Sequence, residues 1–399
     1  MAFSDAAGQL YDRLTGYDVP QPAFTLEIAD DTSGEKNAST NNANATTKIM
    51  ASRLISLSLT DNRGFEADTL TVTLSDADGR LSLPRRGATL KLALGYRGQR
   101  LTDKGSYTVD EVEHSGAPDT LTITARSADF RDSLNVQREQ SWHNLTLDDI
   151  ARTVATRNKL KCRVAAPFAS VSVDHSDQTN ESDGSYLTRL GKQYGFAVSV
   201  KNGTLLLLEP GSNTTASGKP VPPVVITRQS GDSHSFRICD RDAYTGVIAH
   251  YLNTRNTGQQ KVHVRRKQKQ AEQQPVTTPP GHATGNRHQG DYMVGSDENL
   301  LVLRHTYANR GNAERAALSA WKRLQRGTAS FSITLATGRP EITPEYPVRV
   351  QGFKPEIDSA KWTITRVTHT LNDSGLITGL EMEVSANDAT AEDATREKG

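Results

Sequence analysis

Tyr107-Thr108-Val109-Asp110-Glu111-Val112-Glu113-His114 recurs near the other end of the chain as Trp362-Thr363-Ile364-Thr365-Arg366-Val367-Thr368-His369. Both copies set an aromatic and a β-branched residue two apart, the period that sends side chains to one face of a strand. Each copy then meets a turn and a second strand. The first turn is Ser115-Gly116-Ala117-Pro118-Asp119, followed by Leu121, Ile123 and Ala125; the second is Asn372-Asp373-Ser374-Gly375, followed by Leu376, Thr378, Leu380, Met382 and Val384. Upstream, Leu70-Thr71-Val72-Thr73-Leu74 closes on Gly79-Arg80 and matches Phe331-Ser332-Ile333-Thr334-Leu335, which closes on Gly338-Arg339. Both lead to a proline, Pro84 or Pro344, and a further alternating strand. The chain therefore contains a β unit twice, and a repeat of this length governs the fold before any local detail does.

The 399 residues exceed what one hydrophobic core usually serves, and roughly two to three domains are expected. With 35% hydrophobic and 23% charged residues the chain is polar but able to build cores, and a large share of its surface faces solvent or other subunits. A net charge of +1 argues against nucleic-acid binding driven by overall charge. Cys162 and Cys239 stand in no metal-ligand or redox spacing and read as buried thiols. The start, Met1-Ala2-Phe3-Ser4-Asp5, lacks the basic and apolar parts of an export signal, and no apolar run approaches the roughly 20 residues of a membrane helix. Synthesis in a cytoplasm and retention there until assembly are expected.

Residues 1–19 read as a loosely held N-terminal segment, set off by Pro20-Gln21-Pro22 from a first strand at Phe24–Ile28. Asp30–Thr47, rich in Asn, Ser, Thr and Ala, reads as a loop. Short alternating strands fill Arg53 to Ser127 and predict a sandwich or barrel, so residues 20–129 form a first β-barrel domain. The period then changes. Thr146 with Asp149 makes a capping box, and Leu147, Ile150, Ala151, Val154 and Ala155 give a helix ending near Asn158. A second helix opens at Ser182 or Ser185, buries Leu187, Leu190 and Tyr194, and stops at Gly195. Phe196–Val200 and Thr204–Leu208 flank Asn202-Gly203, a strong hairpin signal, and residues 130–210 form an α+β insertion.

Gly211–Pro223 reads as a linker into a second β-barrel domain made of residues 211–255 and 325–386. Residues 256–291 interrupt it as a flexible basic loop, too rich in Gln, Pro, Gly and Thr to order itself, with Lys261, Arg265, Arg266, Lys267, Lys269 and Arg287 facing only Glu272 and the terminal Asp291. Residues 292–324 carry a connecting helix capped by Asn312, with Ala313, Ala316, Ala317, Ala320, Trp321 and Leu324 on one face. Residues 387–399 read as a charged tail. The fold class is thus mainly β with an α+β insertion, two related barrels arising from one duplication.

HExxH, GxSxG and GxxxxGK[ST] patterns are absent. Asp76-Ala77-Asp78-Gly79 resembles the middle of a calcium loop, but Leu74 and Arg85 stand where oxygen ligands are needed, and it reads as a turn. His114 and His369 occupy equivalent repeat positions and read as structural, for instance closing a turn by a hydrogen bond. Asp174-His175-Ser176-Asp177 and Glu181-Ser182-Asp183 would serve a hydrolase through paired carboxylates, yet Ser182 and Asp183 also open a helix and satisfy its free N–H groups. The basic run Val262–Lys269 has no interleaved aromatics and reads as solvated surface or a weak tether. No catalytic, cofactor-binding or metal-ligating residue is assigned, and no cofactor is called for.

Five words occur together: Leu59-Thr-Asp-Asn-Arg-Gly-Phe-Glu-Ala-Asp68, Tyr107 to His114, Ala125-Arg-Ser-Ala-Asp-Phe130, Gln178-Thr-Asn-Glu-Ser-Asp183, and Lys361 to His369. From about Arg53 to Ser385 the chain resembles the late control protein D family of contractile-tailed temperate phages, the tail hub. That family is similar to baseplate hub proteins and to the N-terminal part of type VI secretion spike proteins. The resemblance implies a non-enzymatic virion protein, a homotrimer whose six similar units match a sixfold tail tube on one side and a threefold central spike on the other. It further implies tube, tube-initiation, baseplate and tape-measure proteins as partners, and a place in the tail baseplate after assembly in the host cytoplasm. A tail-associated peptidoglycan hydrolase using the 174–183 carboxylates is the alternative. Residues 256–291 fit the family least well. The family name refers to late gene control, but no segment reads as a DNA-reading helix.

Overall fold

The structure, a computed structural model, describes residues 20–29, 50–127, 134–201, 203–212, 214–215, 218–238, 244–253, 258–265, 299–385 and 390–393. Six strands come first: β1 (Pro22–Ala29), β2 (Leu54–Asn62), β3 (Thr69–Ser75), β4 (Thr89–Tyr96), β5 (Thr102–Ser115) and β6 (Thr120–Ser127). Hydrogen bonding orders them β1-β4-β5-β6-β3-β2, every pair antiparallel. Their alternation turns Leu57, Leu59, Leu70, Val72, Leu90 and Ile123 into one core.

The insertion follows with β7 (Gln137–Thr146), α1 (Leu147–Arg157), β8 (Lys161–Val164), α2 (Ala166–Ala169), β9 (Ser172–Ser182), α3 (Asp183–Tyr194), β10 (Ala197–Lys201) and β11 (Thr204–Leu208). Thr146 and Asp149 form the reciprocal capping box of α1, and its apolar stripe is buried. Ser182 caps α3, which ends at Gly195 in the left-handed region at φ +90°, a conformation open to residues without a Cβ. Lys201 pairs with Thr204 across a two-residue turn containing Gly203 at φ +67°. Trp142, Ile150, Val154, Tyr186, Leu190 and Leu205 belong to the core of this unit.

The rest of the chain supplies β12 (Val224–Thr227), β13 (Gly231–Ile238), β14 (Gly246–Asn253), β15 (Gly258–Arg265), β16 (Leu300–Tyr307), α4 (Arg310–Arg326), β17 (Ala329–Leu335), β18 (Pro347–Gln351), α5 (Pro355–Asp358), β19 (Trp362–Asn372), β20 (Gly375–Val384) and β21 (Thr390–Asp393). Six of these strands run β12-β18-β19-β20-β17-β13, the order of the first unit position for position. Two register irregularities of the first unit repeat as well, while a third, between Leu92 and Ala93 in the β4–β5 pairing, has no counterpart in β18–β19. The β5–β6 register skips one residue between Val109 and Glu111, and β19–β20 skips one between Ile364 and Arg366. The β2–β3 register skips one between Leu54 and Ser56, and β13–β17 skips one between Gly231 and Ser233. Bulges re-aim strands and are retained as designed features, so two matching bulges mark one ancestral sheet used twice. Ile226, Phe331, Ile333, Val350, Trp362 and Leu380 are buried in the core of the second copy.

Four expectations are corrected here. Residues 258–265, expected inside a flexible loop, form β15, which pairs with β14 because Val262 and Val264 alternate into a buried face; residues 266–291 lie outside the described residues. The Val247/Ala249/Tyr251 strand does not join the second β unit. It sits in a four-stranded sheet, β16-β14-β15-β21, covered by α4 through Ala313, Ala317 and Trp321. Thr390–Asp393, expected within a charged tail, is the edge strand of that sheet. The cap of α4 is Asn309, whose side chain accepts from the Asn312 N–H at 2.9 Å, so Asn312 lies one turn inside the helix.

Candidate assembly site at the junction of the β units

The two β units join edge to edge. β2 pairs antiparallel with β19, from Asn62 opposite Arg366 to Ser56 opposite Asn372, and a single sheet runs through both copies. Leu57, Leu59, Val367 and His369 on these strands are all 1% exposed or less. Inside the sheet His369 places Nδ1 2.9 Å from Thr378 Oγ1, its register partner on β20. Burial, reinforced by the nearby Lys104 ammonium, pushes its imidazole down to about 3, so the ring is neutral.

Charged side chains lock the ends of this junction. Past the end of β2, the Arg63 guanidinium pairs with Glu383 of β20 and lies 2.5 Å from Glu345, in the turn before β18. Arg326 at the end of α4 reaches the same Glu383 at 3.4 Å. The Arg63 backbone N–H donates to the Thr365 carbonyl at 3.0 Å, and Arg366 Nε donates to Asn62 Oδ1 at 2.8 Å. Burial raises the Glu345 carboxyl, and it remains tied to Arg63 and to the Gly211 N–H. Two acids and two arginines thus hold both β units and α4 at one point.

A second cluster fastens the insertion. Lys201 Nζ, at the tip of β10, lies 2.7 Å from Asp61 and 2.6 Å from Asp68. Burial works against the ammonium, but the two carboxylates outweigh it and hold Lys201 above its ordinary range. Asp68 also accepts from the Asn62 N–H at 2.9 Å. Gly184 of α3 packs so closely on Phe65 that a Cβ there would meet the ring at 2.6 Å. Between these clusters opens a cavity of 460 Å³, bordered by Asp61, Asp68, Lys104, Arg163, Lys201 and Glu345. Burial pushes the Lys104 ammonium down to about 8, and its Nζ lies 3.4 Å from the Ile342 carbonyl. The cavity's acids and bases are largely engaged with one another, the chemistry of a seam between elements.

The residues singled out from sequence lie elsewhere. His114, in the first copy, has its Nε2 3.3 Å from Asp76 Oδ2, whereas His369 meets Thr378. Asp76–Gly79 is a turn closed by the Gly79 N–H on the Asp76 carbonyl at 2.8 Å, and Arg53 holds the Asp78 carboxyl down to about 2. Along β9 and into α3 the acidic residues disperse among separate partners. Asp183 is fully buried with Arg157 at 3.2 Å, Arg138 at 3.4 Å, Asn158 and Gln178, Glu181 pairs with Arg189 at 2.8 Å, and Asp177 meets His175 at 3.0 Å. None of these four borders the cavity. Lys261 is exposed on β15. Cys162, expected buried, is half-buried, with burial pushing its thiol up to about 11; Cys239 lies outside the described residues. Among the described residues no group of three or more His, Cys, Asp or Glu could hold a metal ion, and no helix is long and apolar enough to cross a membrane.

Sequence reasoning missed Arg63, Glu345, Glu383 and Lys201. Arg63, Asp61 and Asp68 do fall inside Leu59–Asp68, the word that carried the resemblance, but their partners lie more than a hundred residues away.

The chain belongs to the phage tail baseplate hub (GPD) family, whose model matches residues 64–375. It is 51% identical, over 358 residues, to the "Probable baseplate hub protein" of Escherichia phage 186, covering 87% of this chain and 92% of that one. Its fold is similar to the 43 kDa tail protein of prophage MuSo2 from Shewanella oneidensis, with a TM-score of 0.59, 14% identity, and coverage of 93% of this chain and 100% of that one. It is similar also to a chain of the half-lidded Francisella PdpA–VgrG complex, with a TM-score of 0.52, 8% identity, and coverage of 95% of this chain and 62% of that one.

Proposed function

We propose that this baseplate hub protein works as a homotrimer that converts symmetry, joining a sixfold tail tube to a threefold central spike, and that it does so without catalysis. The observation that carries this reading is the identical strand order of the two β units together with their two matching bulges. Three protomers with two such units each present six nearly alike surfaces, while the insertion and the sheet under α4 occur three times. A component repeating six times suits the tube side, and one repeating three times suits the spike side. On this reading the tube, tube-initiation, tape-measure, baseplate and spike proteins are the partners, met in the host cytoplasm as the tail assembles.

The hydrolase alternative gains no support from the carboxylates at 174–183, since Asp183 and Glu181 are held by arginines. Sedimentation of the purified chain across concentration, followed by imaging of particles, tests the proposal. A species of three chains forming a ring with pseudo-sixfold averages is the expected result. A chain that stays monomeric at the highest concentration, or that clears cell walls with activity abolished by Glu181→Gln, would overturn it.

A further inference from the structure

Where α3 and α4 both end, a second cavity of 220 Å³ opens beside the Arg63 network. Arg63, Lys192, Arg323 and Arg326 border it, and among the described residues its lining includes no acid. Phe65 and Phe196 give the same cavity an aromatic wall.

Charge is unbalanced at this point. Glu345 and Glu383 engage Arg63, and Glu383 also meets Arg326 at 3.4 Å. Among the described residues no carboxylate pairs with Arg323 or Lys192, and the Nη2 of Arg63 is buried without an acceptor. The plain reading is that these cations offset the negative ends of the two helices. Each helix end is equivalent to about half an elementary charge, so both ends together with Glu345 and Glu383 answer about three of the four cations. An excess of about one positive charge remains. Burial first, and then the neighbouring Arg63 and Arg323, hold the Arg326 guanidinium below its ordinary range against the pull of Glu383 and Glu345.

The geometry points to a docking site for an acidic side chain of a neighbouring tail protein, its carboxylate on Arg63, Arg323 and Arg326 and its aliphatic stem against Phe65 and Phe196. Guanidinium groups present planar forks that match a carboxylate, and an added anion would answer the excess charge. The aromatic wall decides the occupant. A phosphate, hydrated on every side, gains nothing from such a wall, whereas a carboxylate on a hydrocarbon stem uses both halves of the cavity. A nucleic-acid strand would call for a basic groove that tracks its backbone, with bases stacked along it, rather than a single pocket. The site goes beyond the symmetry-converting reading and does not rest on it. Every residue belongs to one chain, so a monomer carries the site as well as a trimer does.

Fluorescence polarisation of short labelled poly-L-glutamate against the purified chain tests the site. Lys192→Glu with Arg323→Glu, both at exposed positions, should weaken binding by about tenfold or more. Lys91→Glu with Lys261→Glu makes the same change in net charge at exposed positions that do not line the cavity, and should leave affinity within about twofold of the parent. Thr188→Phe narrows the cavity without changing charge and should weaken binding as the first pair does. Equal losses in the two charge-reversed pairs would mean diffuse attraction and overturn the site, as would binding untouched by Thr188→Phe or a parent chain that does not bind poly-L-glutamate. Inorganic phosphate or a single-stranded oligonucleotide that binds the parent more tightly than poly-L-glutamate, and loses that binding with Lys192→Glu and Arg323→Glu, would overturn the carboxylate occupant. None of these outcomes bears on the number of chains in the assembly, which sedimentation reads separately.

Discussion

Arg63 and Glu383, 320 residues apart in sequence, form an ion pair that ties the end of β2 to β20, so that one guanidinium fastens the first β unit to the second. Replacing Arg63 by Met leaves Glu345 and Glu383 facing one another with Arg326 alone to offset them. Breaking a largely buried network from one side costs about 3 kcal/mol. Chemical denaturation of Arg63→Met should show a loss of that order, and Arg63→Lys should recover only part of it, since the lysine cannot span both carboxylates with a planar fork.

Lys201 offers a parallel experiment at the other seam. Lys201→Met strands Asp61 and Asp68 together in a site that is mostly closed to water, again at a cost of about 3 kcal/mol. Adding Asp68→Asn removes one of the two confined charges and should recover a measurable part of the loss. If the single variant unfolds at the parent's denaturant midpoint, the seam contributes nothing to stability.

The buried imidazole of His369 makes stability depend on pH with a definite sign. Its folded value of about 3 lies below the ordinary 6.5, so between these limits the unfolded chain binds a proton that the folded chain refuses. The stabilisation from a neutral His369 is complete above pH 6.5 and is lost as pH falls toward 3, with a slope of about 1.4 kcal/mol per pH unit from this group. Unfolding free energies of the parent and of His369→Gln should therefore converge as the pH drops from 6.5 to 4. Curves that stay parallel over that range would contradict a neutral buried ring.

Gly184 tests how tightly the insertion seats. A Cβ at this position would stand 2.6 Å from the Phe65 ring, so Gly184→Ala forces the ring or the helix to move, at a cost of about 1–3 kcal/mol. Combining it with Phe65→Leu should return much of that loss, because the smaller side chain vacates the space. Thermal midpoints of the parent, the two single variants and the double variant give the coupling directly.

The parts of the fold that could be read in the sequence were those whose signal is local. Tyr107 and Trp362 announce their strands by a two-residue period, Thr146 and Asp149 announce α1 by a capping box, and Gly195 ends α3 as a residue without a Cβ can. What escaped is held by distant partners. β15 looked like part of a polar loop because its order comes from β14 and from α4, and β21 looked like a tail because its mate is β15. The seam residues were opaque for the same reason. Lys201 reads as an ordinary strand-end lysine until Asp61 and Asp68 are brought beside it, and nothing around Glu345 in sequence announces Arg63.

The outermost strands break the repeat. β1 lies antiparallel on β4, whereas β12 lies parallel on β18. In a closed trimer, a neighbour touching the five inner strands of each unit would meet the same relief every sixty degrees, while a neighbour gripping the outermost strand would find two alternating kinds of rim. Whether a binding partner counts to six or to three would then be decided by how far across the sheet it reaches.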